Sequence, residues 1–141
     1  MNITDKWEKY QLTFRAPFDD RQGRLAVTAK GSGCVELDFV SLFPAHTYKN
    51  RKNGLRRDLV QLLEEMHPKF LRFPGGCLVH GGSLHVGDRD SLYRWKNTIG
   101  PVENRPSCRN NWGYNQTMGL GYYEYFLLCE DLGAKPVPVL P

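Results

Sequence analysis

A thiol and an imidazole follow a Pro-Gly-Gly turn in the stretch KFLRFPGGCLVHGG, residues 69–82. Proline and glycine allow the backbone to turn sharply, and here they come directly after a short apolar run. Cys77 and His80 are the first side chains beyond the turn that could carry chemistry. Two interpretations stay open on physical grounds: a tight structural turn, or a turn that presents residues 77–80 to a binding cavity.

The spacing of the candidate ligands does not favour a metal site. Cys77, His80 and His85 lie close together in the sequence, but their spacing matches no common metal site. The four cysteines are dispersed and form no Cys-x-x-Cys pair. Cys34 and Cys129 fall within apolar patterns, which predicts that both are small core residues. The sequence therefore predicts no metal and no cofactor.

The composition is that of an ordinary globular protein. The chain has 141 residues, of which 40% are hydrophobic and 24% charged, and its formal net charge is +4. Basic residues cluster in KNRKNGLRR, residues 49–57, but without the interleaved aromatic residues typical of nucleic-acid sites, so a solvated loop and helix start is expected. No apolar run is long enough to span a membrane, and no signal peptide is visible at residues 1–11. We expect neither a nucleic-acid nor a membrane partner, while the localisation and oligomeric state stay open.

Residues 1–43 show the period-two pattern of β-strands. YQLTF, RLAVTAK and CVELDFVSLF each alternate apolar and polar residues, and the turn sequences PFDDRQG and KGSG separate them. Three such strands need a second sheet, or further strands, to cover their apolar face. The pattern predicts a β-domain over residues 1–43.

The period changes in residues 44–141. Apolar residues at helical spacing predict a helix between Asn53 as its cap and Pro68 as its stop, followed by the short strand KFLRF. A long polar loop leads to a second predicted helix, residues 118–132, with Gly133 as its C-terminal cap, and then to a strand at about 136–140.

This alternation is typical of a parallel α/β sheet. A (β/α)8 barrel takes about 250 residues, so the pattern predicts a piece of a larger protein. A compact small α+β domain is the alternative.

Four stretches closely resemble the α-L-arabinofuranosidases of glycoside hydrolase family 51. They are SLFPAHTYKNRKNGLRRDLVQLLEEMHPKFLRFPGGC, YRWKNTIGPVENRP, WGY and GLGYYEYFLLCEDLGAKPV, and together they cover residues 41–139 densely. Residues 6–40 look like the final strands of the carbohydrate-binding-like sandwich that one branch of the family carries. The resemblance implies a partial (β/α)8 TIM barrel over residues 44–141, preceded over residues 1–43 by the last strands of a jelly-roll-like β-sandwich.

The resemblance also implies an activity. Members of this family are retaining enzymes that release terminal α-L-arabinofuranosyl residues from arabinoxylan and arabinan, and they use two carboxyl groups about 5 to 5.5 Å apart. Both glutamates come from later barrel strands in the family, the acid/base in an Asn-Glu pair, and this sequence has no such pair. No catalytic residue is therefore assigned, and the chain alone is expected to be inactive.

By the same resemblance, Gly76, Cys77, His80 and Trp112 belong to the substrate-binding site. A sugar stacks its C–H face on an aromatic ring, which gives Trp112 its expected role. Relatives in this branch often have Glu where this chain has His80, which leaves the substrate preference open. The expected partner is an arabinose-containing polysaccharide or oligosaccharide. The alternatives are a non-catalytic carbohydrate-binding piece and an unrelated small structural domain.

Overall fold

The structure, a computed structural model, describes residues 3–140, with the side chains of residues 89 and 90 excepted. The chain divides into two units, residues 1–45 and residues 46–141. No helix among the described residues is both long and apolar enough to cross a lipid bilayer.

The first unit forms none of the three predicted strands. Within residues 3–45 the backbone makes no β-ladder, and every side chain is exposed. The alternating apolar residues have nothing in this unit to pack against, and so few strands without a covered face are not stable. The predicted β-sandwich over residues 1–43 is therefore not confirmed. Cys34, predicted to be a core residue, is exposed for the same reason.

The second unit contains a two-stranded parallel sheet with a helical crossover. Strand β1, Phe70–Phe73, pairs in parallel with the later strand Lys135–Pro138, which is β4 in chain order, in the register Phe70↔Lys135 to Phe73↔Pro138. The ladder continues one residue beyond β4, where Val139 N donates to Phe73 O at 2.7 Å. The predicted parallel α/β pairing is confirmed.

A helix of eleven residues, Tyr122–Leu132, leads into β4 and covers the sheet. Within this helix, which is α3 in chain order, the rings of Tyr122, Tyr125 and Phe126 surround Phe73, with ring centroids 5.6, 4.7 and 5.2 Å away. Cys129 is also buried in this core, as the sequence predicts. Gly133 ends the helix in the left-handed conformation (φ +62°), which confirms the predicted cap.

The other side of α3 packs on helix α1, Arg57–Glu65. Leu128 of α3 contacts Val60 of α1 in a second core cluster that also contains Tyr48. The sequence pattern did not identify Leu128 as a core residue. The pattern predicts a helix with a single apolar stripe, whereas α3 contributes residues to two core clusters. Asp131, whose side chain is only 4% exposed, binds Arg51 and lies 2.7 Å from Lys49 Nζ.

Both predicted helices begin later than expected. Asn53 does not cap α1; it lies in a turn with φ +52°, and the helix begins at Arg57. The second helix begins at Tyr122 rather than residue 118. Gly119 and Gly121 interrupt the apparent periodicity there, because glycine favours turns over helix interiors.

The segment between β1 and α3 is long and mostly irregular. Its residue Thr98 contacts the start of α3 at Gly121 and Tyr122. The segment contains a short helix α2, Gly76–Val79, several 3₁₀ turns, and a two-stranded antiparallel hairpin, with Cys108–Arg109 as β2 and Asn115–Gln116 as β3. Thr98 is fully buried, and its Oγ1 accepts a hydrogen bond from Tyr122 N at 3.0 Å. A Cβ atom at Gly121 would overlap the carbonyl oxygen of Thr98.

We expect Gly121→Ala to destabilise the protein, because the added methyl group must displace backbone rather than a flexible side chain. Overpacking of this kind costs about 1–3 kcal/mol in the free energy of unfolding. Urea unfolding, followed by circular dichroism, measures the change. Gly87→Ala is the matched control, since a Cβ there meets no atom within 4 Å; equal stability of the two variants would contradict the contact.

Candidate functional site

The Pro-Gly-Gly turn places a short helix at the carboxyl end of β1. The Phe73–Pro74 peptide is cis, and Gly75 has φ +124°, a conformation that side chains with a Cβ rarely adopt. Helix α2 then begins at Gly76. Its Val79 is buried in the core with Phe73, and this anchors the helix against the strand end.

Anchoring by Val79 leaves Cys77 and His80 on the outer side of α2, and both are exposed. His80 ends the helix, where its backbone N–H donates to Gly76 O at 3.1 Å. The structure therefore places three predicted binding residues, Gly76, Cys77 and His80, together beyond the end of β1.

Gly76 gives room to an arginine of the preceding strand. A Cβ at Gly76 would lie 3.2 Å from Arg72 Nη2, so the guanidinium of Arg72 lies against this glycine. Arg72 forms no ion pair with any residue in the described range 3–140. A cation that can still bind a carboxylate or a hydroxyl thus lies beside the turn.

The hairpin β2–β3 brings the fourth predicted residue, Trp112, near α2. Asn110 shapes the tip, because its Oδ1 accepts hydrogen bonds from Trp112 N at 3.0 Å and Tyr114 N at 3.3 Å. Asn111 then fastens the tip to α2, since its Nδ2 donates to Cys77 O at 3.0 Å. The Trp112 side chain is 60% exposed, so its ring is available for stacking.

A small open cleft lies between α2 and the hairpin. It is lined by Cys77, Leu78, Gly81, Ser91, Tyr93, Cys108 and residues 109–111. The Nδ2 of Asn110 is buried and makes no hydrogen bond with the described residues. The lining contains no carboxylate. Trp112 and His80 do not line it.

Within the long loop, Arg94 caps a 3₁₀ turn, Trp95–Thr98, and Trp95 and Lys96 are its first two residues. The Trp95 ring lies 6.3 Å from that of Tyr122, and Lys96 Nζ lies 5.9 Å from the centroid of Trp95. Their structural role agrees with this packing.

Sequence reasoning missed a buried ion pair between Arg105 and Glu124 behind the hairpin. Glu124 gave a signal, because it stands three residues after the residue that caps α3, where a carboxylate bonds the backbone of the cap. Arg105 gave none, because its other partners are backbone carbonyl groups.

No metal centre is found among the described residues. Within residues 3–140 no group of three or more His, Cys, Asp and Glu side chains lies close enough to hold an ion. Cys77, His80 and His85 thus do not come together as ligands.

Residues 62–141 match the family model described as the α-L-arabinofuranosidase 1 domain. Among curated proteins, the chain is 52% identical over 141 residues to an extracellular exo-α-L-arabinofuranosidase of Streptomyces chartreusis, covering 96% of this chain and 17% of that protein. It is 39% identical to α-L-arabinofuranosidase 1 of Arabidopsis thaliana, covering 94% of this chain and 19% of that protein. The chain thus spans less than a fifth of the length of these relatives.

Solved structures of α-L-arabinofuranosidases are also similar to this chain in fold. The arabinose-bound MgGH51 α-L-arabinofuranosidase is 41% identical, with a TM-score of 0.58, over 65% of this chain and 14% of that chain. The arabinose complex of the α-L-arabinofuranosidase from Thermotoga maritima is 28% identical, with a TM-score of 0.51, over 62% of this chain and 16% of that chain.

The thiols of the second unit should react at different rates. Cys77 is exposed, whereas burial raises the pKa of the Cys108 and Cys129 thiols and so lowers their thiolate fraction at neutral pH. In a short pulse of iodoacetamide followed by peptide mass spectrometry, we expect Cys77 to be alkylated first and Cys129 last. The same pulse in denaturant is the control and should equalise the three. Equal rates in the folded protein would contradict the burial.

Proposed function

This chain belongs to the α-L-arabinofuranosidases of glycoside hydrolase family 51, and we propose on that basis that the protein releases terminal α-L-arabinofuranosyl residues from arabinoxylan- or arabinan-type polysaccharides. The observation that carries the proposal is the match of residues 62–141 to the family model. The segment matched includes the turn after β1, helix α2 and the Trp112 hairpin.

The parallel strands β1 and β4 are proposed to be neighbouring strands of a (β/α)8 barrel. Three features support this: the parallel register, the helical crossover through α3, and the likeness to solved enzymes of the family. In such barrels the active site lies beyond the carboxyl ends of the strands. Gly76, Cys77 and His80 occupy that position relative to β1.

A retaining mechanism requires two carboxyl groups, and we propose that both belong to parts of the enzyme outside residues 1–141. Three acids of the second unit form ion pairs: Asp58 binds Arg56, Glu124 binds Arg105, and Asp131 binds Arg51. None of these carboxylates lines the cleft beside Cys77.

What this segment contributes, in this proposal, is recognition of the arabinofuranosyl group. The small residues Gly76 and Cys77 leave space for a sugar ring beside the strand end. Trp112 supplies an exposed ring on which the sugar can stack. His80 can donate to or accept from a hydroxyl group but supplies no fixed negative charge when neutral, so we propose that it shifts the substrate preference.

We expect the natural protein that contains this segment to hydrolyse an aryl α-L-arabinofuranoside, and residues 1–141 alone to show no turnover. The second part follows because each carboxyl group of a retaining pair performs its own step. Release of the chromophore measures both. Turnover by residues 1–141 that disappears in Glu103→Gln would place the active site in this segment and contradict the proposal. Saturable binding of arabinan oligosaccharides without any turnover by the natural protein would favour a carbohydrate-binding module.

Removal of the stacking ring should weaken substrate binding more than it slows the reaction. In the natural protein we expect Trp112→Ala to raise KM about tenfold, equivalent to about 1.4 kcal/mol, while kcat changes little. Trp7→Ala is the matched control, because Trp7 is another exposed tryptophan but belongs to the first unit. Equal effects of the two substitutions on KM would contradict the proposal that Trp112 stacks on the sugar.

A further inference from the structure

A single guanidinium group fastens both ends of the segment that carries the hairpin. The side chain of Arg105 is only 3% exposed. Before the hairpin, its Nε and Nη2 donate to Gly100 O at 3.1 and 2.8 Å. After the hairpin, its Nη1 donates to Met118 O at 2.9 Å and Gly119 O at 3.4 Å. Arg105 therefore fixes how the chain enters and how it leaves residues 106–117.

The same guanidinium joins the segment to helix α3. Its Nη1 and Nη2 donate to the two carboxylate oxygens of Glu124 at 2.9 and 2.8 Å. Glu124 in turn accepts a hydrogen bond from Gly121 N at 2.8 Å, at the start of α3. The two planar groups thus hold the hairpin to a rigid element, because a bidentate pair fixes orientation as well as distance.

The exit of the segment needs such support. Met118 has φ +56°, a conformation that is uncommon for a residue with a side chain. Its side chain is buried in the core next to α3, and its carbonyl oxygen accepts from Arg105. Backbone held in this region persists only where the surrounding structure fixes it. The direction in which the hairpin leaves the core is therefore set at Arg105 and Met118.

The tip of the hairpin is fastened at the substrate side. Asn111 Nδ2 donates to Cys77 O, so the tip lies on the turn that follows β1. Trp112 is the next residue and carries an exposed ring. Trp112 therefore lies in a segment that is held at both ends by Arg105 and at its tip by Asn111.

We propose that Arg105 is a positioning residue for substrate binding, which sets the place of Trp112 over the arabinofuranosyl group by pinning both ends of the hairpin segment to α3. This inference rests on the proposed function. Arg105 does not touch the substrate and acts only through the hairpin.

The geometry requires arginine rather than any cation. Its three nitrogen atoms donate to three sets of acceptors: the carbonyl oxygen of Gly100, the adjacent carbonyl oxygens of Met118 and Gly119, and the Glu124 carboxylate. Lysine has one nitrogen atom on a flexible stem and cannot satisfy all three at once. Arg105→Lys therefore keeps the charge beside Glu124 while it releases part of the clamp, which makes it the informative variant.

The test uses the natural protein and compares Arg105→Lys with the matched control Arg56→Lys, which alters an exposed pair with Asp58 at the start of α1. We expect Arg105→Lys to raise KM for an aryl α-L-arabinofuranoside about tenfold, with kcat within about twofold, since hydrogen bonds to charged groups are lost. Arg56→Lys should leave both constants unchanged.

A double-mutant cycle separates positioning from general destabilisation. In a Trp112→Ala background, Arg105→Lys should cause no further rise in KM, because the ring that Arg105 positions is already absent. A rise of the same size in both backgrounds would overturn the inference.

Hydrogen exchange, which needs no substrate, supplies the independent measurement. We expect Arg105→Lys to speed amide exchange in residues 106–117 while exchange in α1 stays unchanged. Unchanged exchange in residues 106–117, or equal acceleration throughout the protein, would overturn the inference. Lack of activity in the unsubstituted protein would instead overturn the proposed function, and the exchange result would still decide whether Arg105 holds the hairpin.

Discussion

The burial of one aromatic residue at the end of β1 determines where the candidate site lies. Phe73 is 1% exposed and is surrounded by rings from α3. Edge and stacked contacts of this kind add to the free energy gained from burial. Because Phe73 cannot move without opening this core, the Pro-Gly-Gly turn that follows starts from a fixed point. Val79, at the end of α2, is buried in the same core, whereas Cys77 is exposed.

Beyond the apolar core, hydrogen bonds and an ion pair hold the chain in place. The long segment between β1 and α3 has few regular elements of its own, and a loop of that length in a folded domain is ordinarily a functional one. Its backbone is held by Thr98, by the close approach of Gly121 and by Arg105. The ion pair of Arg105 and Glu124 is largely buried, so removal of one partner leaves the other with an unpaired charge away from water. Such pairs add less to net stability than to the choice of one conformation of the segment.

The charges of this unit divide into those that serve the fold and those that are available to a ligand. Asp131 joins α3 to the turn before α1 through Arg51 and Lys49, and Glu124 joins α3 to the hairpin segment. Arg72, beside Gly76, forms no ion pair with the described residues. A guanidinium therefore lies beside the turn after β1, and the lining of the adjoining cleft contains no carboxylate. This fits a chain that spans less than a fifth of its relatives, in which the proposal assigns the reacting acids to other parts of the enzyme.

Local sequence patterns determined the order and pairing type of the elements in the second unit. The change of hydrophobic period, the Pro-Gly-Gly turn and Gly133 act over a few residues, so the strand–helix–strand order and the parallel pairing could be predicted from them. The Pro-Gly-Gly pattern left open whether residues 77–80 face a binding cavity, and only the resemblance assigned Gly76, Cys77, His80 and Trp112 to a sugar site.

The tertiary structure decided what depends on distant partners. Alternation in residues 3–45 did not produce strands, because strands form only when another layer covers their apolar face. Leu128 lies in a second core because α3 packs on two sides, and Asn53 does not cap α1 because the helix begins only at Arg57. Arg105 binds carbonyl groups of residues 100, 118 and 119 and a carboxylate at residue 124. Any residue type offers a backbone carbonyl, so no pattern of side chains could have identified these partners before the chain was folded.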